Sequence, residues 1–217
     1  YEKNPITINP SEGYIINTGN NFLASDFPLN ITFNWADTQK ISRLRSRISE
    51  RDVFTTESLQ DLQTDTVSYT VRSLLGLVAE TLWYEGSVAP KGSRKNSRQQ
   101  ILQLLSEWNG DMNTRSFEPV FYEKWLKLLY QRIIKDELGS IHEEFVHFNP
   151  IFIERVFKNI NNARQWCDII QTSRIENCQE LAKDSLNDTI FYLTEKFGKN
   201  IDDWNSDNSS KFVNYHN

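Results

Sequence analysis

The first 35 residues of the chain have the pattern of an extended segment, with short stretches in which apolar and polar residues alternate. Ile6 and Ile8 alternate with the polar residues Thr7 and Asn9, and Pro5 and Pro10 punctuate this stretch. Residues 31–33 (Ile-Thr-Phe) form a second short strand candidate. Alternation with a period of two is typical of a β-strand with one buried face. The pattern therefore predicts an extended N-terminal arm with one or two short strands over residues 1–35.

The apolar spacing changes to a helical period from about residue 37 onward. Ile41, Leu44 and Ile48 follow the i, i+3, i+7 spacing of one helix face. Thr55 and Thr56 are suitable N-cap residues for a short second helix, because their hydroxyl groups can accept hydrogen bonds from the first free N–H groups. These signals place the start of a helical domain at residue 36.

Longer apolar series continue the helical pattern to the end of the chain. Helices are predicted over residues 67–82, 101–108, 118–138, 150–157, 163–170 and 175–197. Gly110, Gly139 and Gly198 are suitable helix stops. Between Gly86 and Ser97, Pro, Gly, Ser and Lys residues predict an exposed loop. The sequence thus predicts a mainly α protein with a short extended arm, divided into residues 1–35 and a helical domain over residues 36–217.

Composition narrows the class of partner. The 217 residues are 38% hydrophobic, enough for a sizeable core in one large or two small domains. The net charge is −5, with Lys and Arg scattered rather than clustered, which argues against a nucleic-acid partner. No apolar run approaches the roughly 20 residues of a membrane span. We therefore expect neither nucleic acid nor a membrane as a partner.

The cysteines and histidines do not indicate a specific metal site or catalytic site. Cys167 and Cys178 allow either a disulfide or two buried free thiols, and two thiols alone are too few for a structural zinc site. His142 and His147 lie five residues apart, which turns the second ring about 140° around a helix and away from a zinc-protease arrangement. The sequence has no Gly-rich phosphate loop and no Gly-x-Ser-x-Gly elbow. No cofactor is expected from these motifs.

The stretch from Gly13 to Asn21 carries the most specific chemistry. Strand-type aliphatic residues lead into a turn that ends in Gly19-Asn20-Asn21. Asn offers two N–H donors on a short side chain, and a strand followed by a tight turn can aim them at one point, as an oxyanion hole requires. The structural alternative is an ordinary turn whose Asn side chains cap their own backbone. Spacing alone leaves both interpretations open.

In its wider context, this turn resembles a segment of the penicillin acylase family of N-terminal-nucleophile hydrolases. That family has an Asn-Pro-x-x-Gly-Tyr-Ile strand before an Asn-Asn pair, and residues 9–15 and 20–21 match it. Later segments resemble family motifs in the same order: residues 40–44, 55–63, 104–112, 121–125, 166–168 and 176–178. The chain departs from the family's Trp-x-Trp-Gly ending, with Trp204-Asn205-Ser206-Asp207 instead. The order of the motifs carries the resemblance.

The resemblance implies a fold and a set of site residues. Residues 1–35 would belong to the αββα core of the hydrolase, and residues 36–217 would form its helical domain. Asn20 would stabilise the tetrahedral oxyanion through its side-chain N–H. Asn21 is a register-shifted alternative, because Thr18-Gly19 makes this turn one residue longer than the common pattern. Lys40 stands where the family has an Arg that orients the site, and Asp26 resembles an Asp that binds structural calcium in some members.

The resemblance also implies an activity and partners. The family cleaves acyl-amide bonds with a Ser, Thr or Cys at a new N-terminus, upstream of the region matched here. The chain is therefore expected to be an internal, by itself inactive, part of the catalytic β chain. Its partners would be the nucleophile-bearing segment, the α chain and a small acyl-amide substrate of the penicillin, cephalosporin or acyl-homoserine-lactone type.

The resemblance also implies a cellular location, and two alternative functions stay open. A periplasmic or secreted location agrees with a Cys167–Cys178 disulfide. The alternatives are a non-catalytic helical binding module, in which the Asn-rich turn is only structural, and a catalytically inactive family member.

Overall fold

A computed structural model describes residues 4–23, 27, 31–32, 35, 38–84, 94–145 and 147–209. The chain divides into two compact units, Tyr1–Tyr69 and Thr70–Asn217. The described residues are mainly helical, which confirms the helical part of the predicted fold class. The boundary after residue 35 concerns the αββα core of a whole enzyme and stays a prediction.

The first unit contains the N-terminal arm and two helices, α1 (Gln39–Ile48) and α2 (Thr56–Gln63). Both helices lie where the apolar spacing predicts them. Thr55 and Ser58 form a reciprocal cap at the start of α2. The Ser58 N–H donates to Thr55 Oγ1 at 3.3 Å, and the Thr55 N–H donates to Ser58 Oγ at 2.8 Å. Local side-chain chemistry therefore fixes the start of α2.

The described residues of the arm form no β-strand. Ile6 and Ile8, whose spacing predicts a strand, are 72% and 77% exposed, and Ile15 is 67% exposed. Phe33, in the second strand candidate, lies outside the described residues. An extended segment becomes a strand only when a neighbouring segment accepts and donates its backbone hydrogen bonds. The strand content of the arm and its place in an αββα core thus stay predictions.

The described part of the second unit consists mainly of helices joined by short irregular segments. Its α-helices are α3 (Tyr69–Val78, whose first residue closes the first unit), α4 (Arg94–Glu107), α5 (Phe117–Leu138), α6 (Pro150–Phe157), α7 (Cys178–Phe197) and α8 (Ser206–Ser209). Short 3₁₀ helices cover Leu82–Tyr84, Gly139–Glu144, Ile160–Cys167 and Ile201–Asp203. None of the described helices is long and apolar enough to cross a lipid bilayer.

The core of this unit is built around α5 and α7. Trp125 of α5 is fully buried, and its indole N–H donates to the Ala182 carbonyl of α7 at 2.9 Å. Phe121 stacks on Trp204 with ring centroids 6.3 Å apart. The Trp204 indole N–H donates to the Gly198 carbonyl at 2.9 Å. Aromatic packing with satisfied indole groups therefore joins the two long helices and the segment after α7.

Helix ends agree with the sequence where capping is local. The predicted helix over 118–138 is observed as α5, and Gly139 follows it with φ +54°. The predicted helix over 175–197 begins later, at Cys178, because Asn177 caps it. Asn177 Oδ1 accepts the Glu180 N–H at 3.0 Å, and the Glu180 carboxylate accepts the Asn177 N–H at 3.0 Å. Gly198 ends this helix with φ +89°.

Three predicted segments differ from the structure. The apolar series over 67–82 is split into α3 and a separate 3₁₀ turn. The series over 163–170 is observed as 3₁₀ turns within Ile160–Cys167, which Asn161 and Asn162 interrupt with left-handed backbone dihedrals. Helix α4 begins at Arg94, inside the stretch predicted as a loop, while residues 85–93 lie outside the described residues. Apolar spacing shows that a segment turns helically, but it does not distinguish an α-helix from the tighter 3₁₀ form.

Cys167 and Cys178 form a disulfide bond. Both are buried, at 0% and 4% exposure. The bond closes the segment between the 3₁₀ helix Ile160–Cys167 and the start of α7. Of the two possibilities that composition leaves open, the structure has the disulfide.

Candidate functional site

The Asn-rich turn of the arm is held by its own side chains. The Gly19 N–H donates to Asn17 Oδ1 at 3.0 Å, and the Leu23 N–H donates to Asn21 Oδ1 at 3.0 Å. Gly19 bends the chain with φ +77°, in the region that favours glycine. Asn17 and Asn21 are exposed and act as turn caps. For these two residues, the structural interpretation of the turn is sufficient.

Asn20 differs from its neighbours because its side chain is buried, with 5% exposure. Its amide is held at both ends: Oδ1 accepts the Thr18 hydroxyl at 2.8 Å, and Nδ2 donates to the Asn21 carbonyl at 3.0 Å. The Asn21 carbonyl can only accept, so the amide nitrogen must face it, and the amide oxygen must face Thr18. The contacts therefore define which way the amide points.

This arrangement leaves donor capacity on Asn20. An amide nitrogen carries two hydrogens. One is used by the Asn21 carbonyl, and the other has no acceptor among the described residues. A fixed N–H donor in a largely desolvated position is what stabilises negative charge that develops on a carbonyl oxygen. The geometry is compatible with an oxyanion donor at Asn20, and it favours Asn20 over Asn21 for that role.

Lys40 lies in the first turn of α1, and its side chain is exposed. No hydrogen bond or ion pair joins Lys40 to Asn20 among the described residues, and the structure leaves its role untested. Asp26, the candidate calcium ligand, lies outside the described residues. Within the described part of the chain, no group of three or more His, Cys, Asp and Glu side chains is close enough to hold a metal ion.

An ion-pair cluster that sequence reasoning missed lies on the same helix as Lys40. The Arg43 guanidinium contacts both Asp65 carboxylate oxygens, with Nη2–Oδ2 at 2.6 Å and Nε–Oδ1 at 3.3 Å. Arg47, one turn later on α1, places Nε 3.0 Å from Asp65 Oδ2. The Val67 N–H also donates to Asp65 Oδ1 at 2.9 Å. The i, i+4 spacing of the two arginines was visible in the sequence, but their shared partner was not.

The cluster changes the acidity of Asp65. Burial by itself raises the pKa of this carboxyl group, because it disfavours the charged form. Hydrogen bonds from Arg43 and from the Val67 N–H, together with the charges of Arg43 and Arg47, outweigh burial, so the pKa lies below its usual range. Asp65 is therefore ionised at neutral pH and ties α1 to the segment after α2.

A second polar cluster lies inside the disulfide-closed loop. Glu176 is 7% exposed, and its carboxylate accepts the Ile169 N–H at 3.1 Å and the Thr172 hydroxyl at 2.7 Å. The Arg174 Nε donates to the same carboxylate at 3.2 Å. The hydrogen bond from Thr172 is the largest influence on the pKa of Glu176, which lies below its usual range. These bonds organise the loop from within, and none of them involves a predicted site residue.

A groove of about 710 Å³ lies near the C-terminal end of α5. It is lined by residues of both signs of charge, among them Arg132, Lys135, Asp136 and His142. The His142 ring contacts the Gly139 carbonyl at 2.6 Å through Nδ1, within the same turn. Neither Asn20 nor Lys40 lines this groove. The groove therefore does not contain these predicted site residues, and the Asn-rich turn of the first unit is still the candidate functional site.

Comparison with known families agrees with the order of motifs along the chain. The family model described as Penicillin amidase matches residues 1–217. The match includes the arm with Asn20 as well as the helical unit, and it supports an amidohydrolase-type function. The chain belongs to the penicillin amidase family.

Proposed function

We propose that this chain is part of the catalytic chain of a penicillin-acylase-like amidohydrolase and that Asn20 is one of its oxyanion donors. The observation that carries the proposal is the burial of Asn20 with its amide held at both ends, by Thr18 and by the Asn21 carbonyl. The exposed neighbours Asn17 and Asn21 have local caps instead. An amide that only capped the turn would have no need of burial, because exposed caps do the same work.

The proposed reaction uses a nucleophile from a part of the enzyme that precedes the arm, as the family resemblance implies. Its side-chain oxygen or sulfur attacks the carbonyl carbon of the acyl-amide, and its own α-amine takes the proton. The carbonyl oxygen becomes an oxyanion and accepts a hydrogen bond from Asn20 Nδ2 and one from a backbone N–H. Collapse of the intermediate breaks the C–N bond, the protonated amine leaves, and water then hydrolyses the acyl-enzyme.

The proposal also includes the roles of Lys40 and Asp26, the partners and the location that the family resemblance implies. Lys40 would help to orient the site as a point charge, which a Lys can do without the bidentate geometry of an Arg. Asp26 would contribute one carboxylate to a structural calcium ion, with its remaining oxygen ligands from other parts of the enzyme. The partners would be the nucleophile-bearing segment, the α chain and a small penicillin-type, cephalosporin-type or acyl-homoserine-lactone substrate. A periplasmic or secreted enzyme fits the buried disulfide.

The test is Asn20→Ala in the intact enzyme. Hydrolysis is followed with 4-nitroanilides of phenylacetic, glutaric and a long-chain fatty acid, and the fastest substrate is used for the variants. We expect kcat to fall by about 10²–10³-fold with little change in KM, because the donor acts on charge that exists only in the transition state. Asn113→Ala is the matched control: Asn113 is exposed and caps a turn of the second unit through the Arg115 N–H at 2.9 Å.

Three results would contradict the proposal. A rise in KM with unchanged kcat in Asn20→Ala would assign Asn20 to uniform substrate binding. A larger loss of kcat in Asn21→Ala than in Asn20→Ala would move the donor to the register-shifted position. If the intact wild-type protein hydrolyses none of the three anilides, the non-catalytic alternatives are favoured.

A further inference from the structure

We propose that Thr18 is a positioning residue that sets the orientation of the Asn20 amide. The inference rests on the proposed oxyanion role of Asn20 and extends it to a residue that does not touch the substrate. The hydroxyl of Thr18 donates to Asn20 Oδ1 at 2.8 Å and is partly buried. Because the Asn21 carbonyl needs a donor and the Thr18 hydroxyl supplies one, the two contacts permit only one orientation of the amide.

The backbone of the turn makes this contact possible. Gly19 has φ +77°, and its N–H is held by Asn17 Oδ1 at 3.0 Å. The bend brings residue 18 alongside residue 20, so that a hydroxyl two positions earlier reaches the amide oxygen. The turn therefore supplies its own support for Asn20.

The contact acts on Asn20 in two physical ways. It restricts rotation of the amide, so that the unused Nδ2 hydrogen keeps one direction and need not be ordered during the reaction. It also polarises the amide, because an amide oxygen that accepts a hydrogen bond makes the N–H groups of the same amide better donors. Both effects are larger at a position with 5% exposure than they would be in water.

The experiment uses the intact enzyme and the anilide chosen above. Thr18→Val removes the hydroxyl at nearly constant volume, and Thr18→Ser keeps it. We expect Thr18→Val to lower kcat about 5–10-fold with KM changed less than about 2-fold, the size expected for loss of one neutral hydrogen bond, and Thr18→Ser to stay within about 2-fold of wild type. Thr64→Val is the matched control. The Thr64 hydroxyl donates to the Gln60 carbonyl at 3.0 Å, one turn earlier in its own helical segment.

A double-mutant cycle tests whether Thr18 acts through Asn20. In the Asn20→Ala background, Thr18→Val should cause no further loss of kcat, because the amide that it positions is gone. An equal loss in both backgrounds, or a Thr18→Ser variant no better than Thr18→Val, would overturn the inference. Thr18→Ala is a second variant that lacks the hydroxyl. If the unfolding temperature shows that one of the two variants is misfolded, the other still allows the comparison with wild type.

The outcomes separate this inference from the proposed function. If Asn20→Ala loses activity while both Thr18→Val and Thr18→Ala behave as wild type, the positioning role fails and the oxyanion role stands. If Asn20→Ala keeps wild-type kcat, both fail.

Discussion

The disulfide between Cys167 and Cys178 gives a stability prediction with a magnitude. The bond links residues separated by 11 positions and closes the loop around Glu176. Replacing both cysteines with alanine, or reducing the bond, should lower the free energy of unfolding. The magnitude follows from the chain entropy that the cross-link removes from the unfolded state. For a loop of this length the loss is about 3 kcal/mol at 25 °C.

The folded loop should largely keep its shape without the bond. The Glu176 carboxylate independently holds the Ile169 N–H, the Thr172 hydroxyl and Arg174. Helix α7 retains the Asn177 and Glu180 cap at its first turn. Reduction should therefore act mainly on the unfolded state, and the far-ultraviolet circular dichroism of the folded protein, which reports its helices, should change little.

The assay is urea unfolding of the wild-type chain and of the double alanine variant, each with and without a reducing agent. With an m-value of about 2 kcal/mol per molar urea, 3 kcal/mol corresponds to a shift of about 1.5 M in the midpoint. The wild type should shift on reduction, and the double alanine variant should be insensitive to the reducing agent. Thiol titration of the unfolded, unreduced wild type should find no reactive thiol.

Two results would refute this reasoning. Two titratable thiols in the unfolded, unreduced protein would show that the bond does not form, and they would also remove its support for a periplasmic or secreted location. A midpoint that is the same in oxidised and reduced wild type would show that the cross-link does not constrain the unfolded chain.

Two further predictions concern ionisation and burial. The pKa of Asp65 in the folded state lies below its unfolded-state value of about 3.9. The ionised carboxyl group therefore stabilises the fold at pH values above about 3.9, and this stabilisation is lost as the pH falls through the folded-state pKa. We expect Asp65→Asn to lower the free energy of unfolding by about 1–3 kcal/mol at pH 7 and by less at pH 3; an undiminished difference at pH 3 would contradict the ion-pair explanation. Tyr122 is buried, its hydroxyl has no partner among the described residues, and burial raises its pKa. Tyr122→Phe should leave the thermal unfolding midpoint unchanged or raise it. A decrease of more than about 1 kcal/mol in the free energy of unfolding would show that the hydroxyl has a hydrogen-bond partner after all.

The candidate site was only partly visible in the sequence. The Gly-Asn-Asn turn and the order of the motifs pointed to Asn20, and the register-shifted alternative Asn21 followed from the extra residue in the turn. Burial distinguished the two in the structure, since Asn20 is buried and Asn21 is exposed. The shared partner of Arg43 and Arg47 was not predictable, because Asp65 follows Arg43 by 22 positions and no local spacing rule connects them.

The sequence by itself determined the features whose hydrogen bonds are local. The bounds of α5 and α6, the glycine at the end of α5 and the Thr55 cap of α2 depend on residues within one or two helical turns of each other. The order of motifs likewise determined the family. Tertiary structure decided that the two cysteines form a disulfide and that the Asn20 side chain is buried. It also brought Arg43 and Arg47 to the Asp65 carboxylate. Each of these depends on how the chain folds back on itself or on what covers a side chain. Apolar spacing carries no information about such contacts, because it records only the face on which a residue lies.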